Sequence, residues 1–450
     1  PYSLSEGQEQ ILSAKSVTGQ SAWIRYFDET LGSATFRYAG KDKSEQEVLS
    51  LLHDPKREVR REAHLSLSDG FNKLSRSLTF IFNTLLADKA TNDELRGYPS
   101  WIHARNLSNE TDEITVNALV KAVTGHYEWA QRYYKLKSKL LGIEDFKDFD
   151  RYAPLKKTET TIPWEQARSM VLDAYDEFSP KMAEIAARFF DEKWIDAAIQ
   201  PGKRGGAYSA GTVPSVHPYV FMNYDGRLRD VQTLAHELGH GVHQFLSRKQ
   251  GVLQSSTPLT TAETASVFGE MLVFQRLLKQ LDDPMEELAL LMSKIDDTIA
   301  TVFRQISMNR FEESMHIARR NEGELTTERF SELWKIEQEK LYGTSVELTP
   351  EYSQWWCYIP HFLHTPGYVY AYAFGELLVL ALYEEYQRKP EGFAARYLTL
   401  LEAGGSEWPH QLVARMGLDI QDSEFWQKGL ASFERMILRA EELYTQVKHQ

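Results

Sequence analysis

Residues 233–246 read "TLAHELGHGVHQFL". Three histidines and one glutamate fall between His236 and His243. The residues around them, Val231, Leu234, Ala235, Leu238 and Val242, are apolar and suit a buried helix. On such a helix positions i and i+4 stand one above the other. His236 and His240 can therefore direct two imidazole nitrogens at one metal ion. Glu237 lies one residue on, beside that point, where it can handle a proton of a metal-bound water. Gly239 and Gly241 leave room for another backbone or a ligand. His243 sits one turn beyond His240. Three ligands from one straight helix do not converge comfortably on one tetrahedral ion, so His243 is expected near the site, not on the metal. A core helix with satisfied histidines would produce the same five residues by chance, and two further stretches weigh against that.

The first is "TTAETASVFGEML", which holds Glu263. A catalytic zinc of the His₂Glu type takes one more carboxylate and leaves its fourth position to water. The gap after His240 contains Gly251 and Pro258, which suits helix–loop–helix. Glu263 lies among Ala262, Ala265 and Val267, where an unpaired carboxylate is unusual. Glu270 is seven residues on and can accept from a ligand imidazole and so fix its tautomer; an ordinary surface glutamate is the alternative. The second stretch is "YIPHFLHTPGYVYAYAFGE", residues 358–376. His361, His364, Tyr368 and Tyr372 carry N–H and O–H groups suited to an oxyanion. An aromatic core stripe has the same spacing. If the stretch after Gly367 is helical, Tyr368 and Tyr372 share a face.

Working outward, residues 44–92, 115–142 and 164–194 have helical texture. Ser44 with Glu47 forms a capping-box pattern, and Asp54 before Pro55 marks a second helix start. Residues 201–229 are rich in glycine and proline and read as turns. Within them 216–224 reads as a short strand, at a sheet edge because Pro218 cannot donate to a ladder. Helical texture resumes near 229 and runs to the end, broken by loops at "LYGTSVELTPEYSQWW" and "LEAGGSEWP". The expected fold is mainly α, with one small β-sheet next to the metal-binding helix.

Composition narrows the functional classes. The 450-residue chain has a formal charge of −13 and no Lys/Arg-rich block, which argues against nucleic acid as a partner. Its most apolar late stretch, 377–383, is too short to span a bilayer, so no membrane role is expected. Cys357 is the only cysteine, which suits a reducing cytoplasm. The first ten residues lack the pattern of a signal peptide.

The segments "GKRGGAY", "HPYVFMNY", "TLAHELGHGVH", "ETAS" and "IPHFLHTPGYVYAYAFGE" together resemble the oligoendopeptidase F branch of the thimet oligopeptidase family of zinc metallopeptidases. The resemblance covers roughly 110–440 and is most specific over 203–271. It implies a helical ellipsoid around a deep active-site cleft, with residues 1–200 as helical wall and 201–450 as the catalytic part, in one continuous catalytic unit. It implies Zn2+ on His236, His240 and Glu263, with Glu237 as general base and acid. It also implies substrate and oxyanion contacts from His361, His364 and the tyrosines, Tyr372 first and Tyr368 second. The 205–211 loop and the 216–224 strand, with Tyr208, Gly211 and His217, would line the cleft. The expected activity is internal cleavage of short unstructured peptides. The start at Pro1, without Met, looks internal to the family pattern, so an N-terminal helical region is expected to be missing. Two alternatives stay open. A related zinc carboxypeptidase would anchor a terminal carboxylate on Arg204, Arg227 or Arg229. A non-catalytic helical peptide-binding protein would hold a structural metal. Manganese or cobalt suits the same donors as zinc.

Overall fold

The computed structural model describes residues 2–155 and 161–448. Pro1, where the sequence reading placed an internal start, lies outside them, as do residues 156–160 of the resembling stretch. The chain is mainly α-helical with two small sheets.

Local sequence explains most helix boundaries. Ser44 caps the helix Glu45–Leu51. Its hydroxyl accepts from the Glu47 N–H (3.3 Å), and the Glu47 carboxylate accepts from the Ser44 N–H (2.9 Å). The next helix, Arg57–Arg96, runs for 40 residues but starts later than the Asp54–Pro55 signal. Asp54 instead accepts the N–H of Lys56 (2.8 Å), closing a turn ahead of the helix. The expected 115–142 and 164–194 stretches each divide in two, into Glu113–Thr124 and Tyr127–Leu141, and Trp164–Phe178 and Pro180–Asp191. Ser179 is extended there (φ −160°) and caps the second helix of its pair, with Pro180 at the first helical position.

The chain forms two compact units. One comprises Pro1–Leu107, Thr124–Lys156 and Phe303–Tyr370. Its core is built on the 40-residue helix, whose Leu67, Phe71, Leu78 and Phe82 are fully buried with Phe311, Phe330 and Trp356. Phe82 meets the Trp356 ring edge-on at 4.9 Å. This unit also holds a hairpin that the sequence reading did not anticipate. Strand β1 (Phe36–Tyr38) pairs antiparallel with β2 (Lys41–Lys43). Ala39 and Gly40 between them both have positive φ, as a two-residue hairpin turn requires. Ala-Gly lacks the usual Asn-Gly or Asp-Gly signature, and three-residue strands leave little alternation to detect.

The other unit comprises Ser108–Val123, Lys157–Val302 and Ala371–Gln450. Its central element is the motif helix Leu228–Ser247, packed against the helix Thr264–Gln280. A Cβ on Gly239 would stand 2.4 Å from the Ala265 carbonyl oxygen, so only glycine permits this backbone approach. Beside the motif helix lies a sheet of β3 (Ile195–Asp196), β4 (Tyr208–Ala210) and β5 (Tyr219–Phe221), in the order β3-β5-β4. β5 is parallel to β3 and antiparallel to β4. The strand expected at 216–224 is therefore shorter and central, not at an edge. Pro218 precedes the first paired residue, so its missing N–H falls outside the ladder. The edges belong to β3 and β4. Among the described residues no helix is long and apolar enough to cross a membrane.

Candidate metal centre

The motif helix is set by Arg227 at its N-cap. The Asp230 carboxylate accepts the N–H groups of Asp225 (2.8 Å) and Arg227 (2.9 Å). Two turns further on, the His236 and His240 rings lie 4.9 Å apart at 84°. Their Nε2 atoms are 3.3 and 3.4 Å from the same oxygen, Glu263 Oε2. One ligand atom from each of the three lies within 4.8 Å of the others. Glu263 sits between the short helix Leu259–Ala262 and the helix Thr264–Gln280, and Ser266 Oγ donates to its Oε2 (2.7 Å). Gly375 lies against it, where a Cβ would stand 3.2 Å from Glu263 Cβ.

These donors fit a divalent cation. Two imidazole nitrogens and one carboxylate oxygen are the His₂Glu set of catalytic zinc, and they converge. Burial raises Glu263, yet the two histidines hold it far below the usual carboxylate range. Burial lowers His236, but Glu263 and Glu270 outweigh it and raise its pKa to about 10. The surrounding carboxylates thus favour positive charge at this point, which a divalent cation would supply.

Glu237 points into a cavity of about 520 Å³ that His236, His240 and His243 also line. It is 6 % exposed, and burial raises its pKa. The Ser209 backbone opposes that rise, while Glu237 Oε2 is buried without a hydrogen-bond partner. An orphaned buried carboxylate oxygen is costly unless something meets it. Its position beside the ligand nitrogens suits a group that serves a bound substrate. His243 is buried against the same cavity and outside the ligand trio. Burial first, then His240, lowers its pKa to about 4, so it is neutral near pH 7.

Glu270 is no ordinary surface glutamate. Its Oε2 faces His236 Nδ1 at 3.5 Å, and its Oε1 accepts from Lys294 Nζ at 3.1 Å. Burial raises it, but Lys294 and His236 prevail and lower its pKa to about 2. Tyr208 and Gly211 line the cavity on and beside β4. Ser209 Oγ donates to Gln244 Oε1 of the motif helix (2.8 Å), and a Cβ on Gly211 would press on the Gln244 side chain at 3.3 Å. Tyr208 is 40 % exposed and stacks on Phe221 (5.0 Å, 17°). His217 is held apart from the cavity wall: its ring stacks on Trp194 (4.2 Å, 6°) and its Nδ1 lies 2.9 Å from the Pro218 carbonyl oxygen.

The 358–376 stretch is divided between the units. His361, His364 and Tyr368 belong to the first and Tyr372 to the second, which also carries the metal centre. His361 opens the short helix His361–His364, and its ring is parallel to Tyr368 at 6.2 Å. His364 Nε2 is 2.8 Å from Asp28 Oδ1. The next helix, Tyr370–Arg388, begins after Tyr368. Tyr368 is thus a loop residue and shares no helical face with Tyr372, because Pro366 and Gly367 (φ +76°) hold the chain in a turn. Among the arginines weighed as carboxylate anchors, Arg204 lies over the Tyr208 ring at 5.0 Å and Arg227 pairs with Asp225 at 2.9 Å.

Sequence reasoning missed Lys294, Glu376, Ser209 and Gln244. The first two had a signal. Lys294 interrupts "LALLMSKI", and Glu376 interrupts "AYAFGELLVLALY"; a charge inside an apolar run is rarely buried without a partner.

Residues 50–432 match Peptidase family M3, and residues 1–36 match Oligopeptidase F. The chain is 30% identical over 401 residues to the chromosomal oligoendopeptidase F of Lactococcus lactis subsp. cremoris, covering 89% of this chain and 66% of that one. It is 28% identical over 459 residues to the group B oligopeptidase PepB of Streptococcus agalactiae, covering 100% of this chain and 76% of the relative. A solved Chlamydophila abortus structure superposes with a TM-score of 0.91 at 26% identity, covering 98% of this chain and 75% of that one. The chain spans about two thirds of the Lactococcus relative's length. With family M3 matched from residue 50 to 432, the chain belongs to peptidase family M3, on its oligoendopeptidase F branch.

Proposed function

We propose that the chain is the catalytic part of a zinc endopeptidase that cuts internal bonds of short, unstructured peptides. The supporting observation is the convergence of His236 Nε2, His240 Nε2 and Glu263 Oε2 beside the unpartnered oxygen of Glu237, on one cavity. The L. lactis relative's name, oligoendopeptidase F, points the same way.

His236, His240 and Glu263 hold the metal. When bound, zinc supplies a Lewis acid that polarises a carbonyl and acidifies water. Glu237 takes the proton of the attacking water on its free oxygen and later delivers it to the leaving amine. Its raised pKa suits that exchange. Of the residues expected to donate to the oxyanion, Tyr372, Tyr368, His361 and His364, Tyr372 alone lies in the unit of the metal centre. Tyr372 ranks first because the unit with the metal centre carries it, and His364 ranks last because Asp28 already engages it. The substrate backbone pairs with the edge of β4, adding a strand; Ser209 and Gln244 fix that edge against the motif helix. The single buried Cys357 suits a cytoplasmic enzyme.

An end-blocked, internally quenched peptide of about ten residues tests this reading, together with metal analysis of the purified protein. Chelator-sensitive cleavage at an internal bond with one zinc per chain is expected. An intact blocked peptide, with cleavage only from a free C-terminus, would make the enzyme a carboxypeptidase.

A further inference from the structure

Behind His236 lies an internal charge cluster with no part in the mechanism above. Lys294 stands on the helix Pro284–Thr298, and its side chain is 4 % exposed. Its ammonium donates to Glu270 Oε1 at 3.1 Å and lies 3.4 Å from Glu376 Oε1. Glu270 stands on Thr264–Gln280 and Glu376 on Tyr370–Arg388, so three helices meet at one nitrogen. Thr298 Oγ1 donates to the same Glu376 oxygen (3.4 Å). Asp297 adds to the negative field at Lys294. The second oxygen of Glu270 faces His236 Nδ1 at 3.5 Å.

A buried ion pair is poor glue. Its desolvation offsets most of its attraction, and apolar residues of equal volume often serve stability as well or better. A lysine among Leu290, Leu291 and Ile295 therefore has another use. Glu270 has two oxygens and two partners. If Lys294 holds one, the other is left aimed at His236 Nδ1. Accepting that N–H places the proton on Nδ1 and leaves His236 Nε2 bare toward Glu263 and the metal.

We propose that Lys294 is a positioning residue for the metal centre: it fixes Glu270, which in turn fixes the tautomer and direction of His236, while Glu376 shares the lysine's charge. The inference rests on the proposed metal site. Lys294 touches neither metal nor substrate.

The test is zinc affinity, measured by chelator competition on the wild type, Lys294→Met and the double variant Lys294→Met/Glu376→Gln. Partners behind metal ligands typically contribute about 10–100-fold in affinity. Lys294→Met should weaken zinc by about that factor while helix content is kept. The double variant frees Glu270 of the neighbouring Glu376 charge, so it should bind more tightly than Lys294→Met and more weakly than wild type. It also serves where Lys294→Met fails to fold, because it strands no charge at Glu376. The low-field His236 Nδ1–H resonance of the zinc-loaded protein should broaden or vanish in both variants, which a purely structural role would not produce. Wild-type zinc affinity with an unchanged resonance in either folded variant overturns the proposal. Failure of the wild type itself to bind zinc would overturn the metal-site reading instead.

Discussion

Glu237 and Glu263 differ by what surrounds them. Glu263 has both ligand imidazoles at 3.3–3.4 Å, whereas Glu237 keeps one buried oxygen free. The two should respond differently to substitution. Glu237→Gln leaves the ligand set intact, so zinc content should stay at the wild-type level. Peptidase activity should fall by about 10²–10⁴-fold, the usual weight of a positioned acid–base group. Near-normal turnover with zinc bound would remove Glu237 from the mechanism. Glu263→Ala leaves two donors from one helix, so zinc should be lost on dialysis; stoichiometric zinc after dialysis would mean another group closes the site. Both residues were legible in the sequence: helical spacing places Glu237 beside His236 and His240, and Glu263 stands out as a carboxylate among Ala262, Ala265 and Val267. The Nδ1 partner of His236 was legible only as one of two options. Choosing Glu270 required Lys294 and its 3.1 Å bond, brought from a separate helix.

At the scale of elements, the contact between the motif helix and Thr264–Gln280 controls the site, because Glu263 stands at the start of the second helix. Gly239→Ala would drive a Cβ to 2.4 Å from the Ala265 carbonyl oxygen, and backbone cannot step aside as a flexible side chain can. Overpacking of this kind costs about 1–3 kcal/mol. The variant should therefore unfold at lower denaturant and bind zinc more weakly. An unchanged midpoint and zinc affinity would show that the helices can separate freely. The sequence reading noted Gly239 as an opening for another backbone or a ligand; which of the two it admits depends on packing. The sheet taught the opposite lesson. Pro218 suggested an edge strand, yet the ladder begins one residue later and β5 lies between β3 and β4. One residue of register decides whether a missing N–H matters.

For the molecule as a whole, stability should carry a signature of Glu312. This glutamate on Arg304–Glu322 is fully buried, and burial pushes its pKa up to about 8, against the Gly367 N–H (2.5 Å), Arg105 and Lys89. A folded-state pKa above the unfolded value means that the folded chain holds the proton more tightly. Its stabilisation is full below about pH 4.5 and is lost as pH rises towards 8. Glu312→Gln keeps an oxygen for Gly367 and removes the titration. The difference in unfolding free energy between wild type and variant should therefore change steadily across pH 5–8, in the direction of relative wild-type weakening. A pH-independent difference would show that Glu312 titrates normally. Substrate choice belongs to the same scale. Pairing with β4 needs a peptide whose N–H and C=O groups are free, so a short unstructured peptide should be cut and a stable folded protein left intact. Chelator-sensitive internal cleavage of the folded protein would contradict strand addition as the recognition mode.

The sequence alone determined the mainly helical class, the capping of Glu45–Leu51 by Ser44, and the His-Glu-x-x-His trio with Glu263 as candidate third ligand. These follow from short-range periodicity and the chemistry of residue types, which act within a few turns of chain. Tertiary structure decided the rest: the hairpin at 36–43, the central place of β5, the loop position of Tyr368, and the Glu376–Lys294–Glu270 cluster behind His236. The place of β5 and the charge cluster depend on partners distant along the chain, whereas the hairpin and the turn before Tyr370 are local features that the residue pattern did not mark. Lys294 carries no local mark of its partners, since Glu270 lies 24 residues before it and Glu376 far after it. Only the packing of three helices brings those charges to one nitrogen, because a buried ammonium must find carboxylates wherever the fold supplies them.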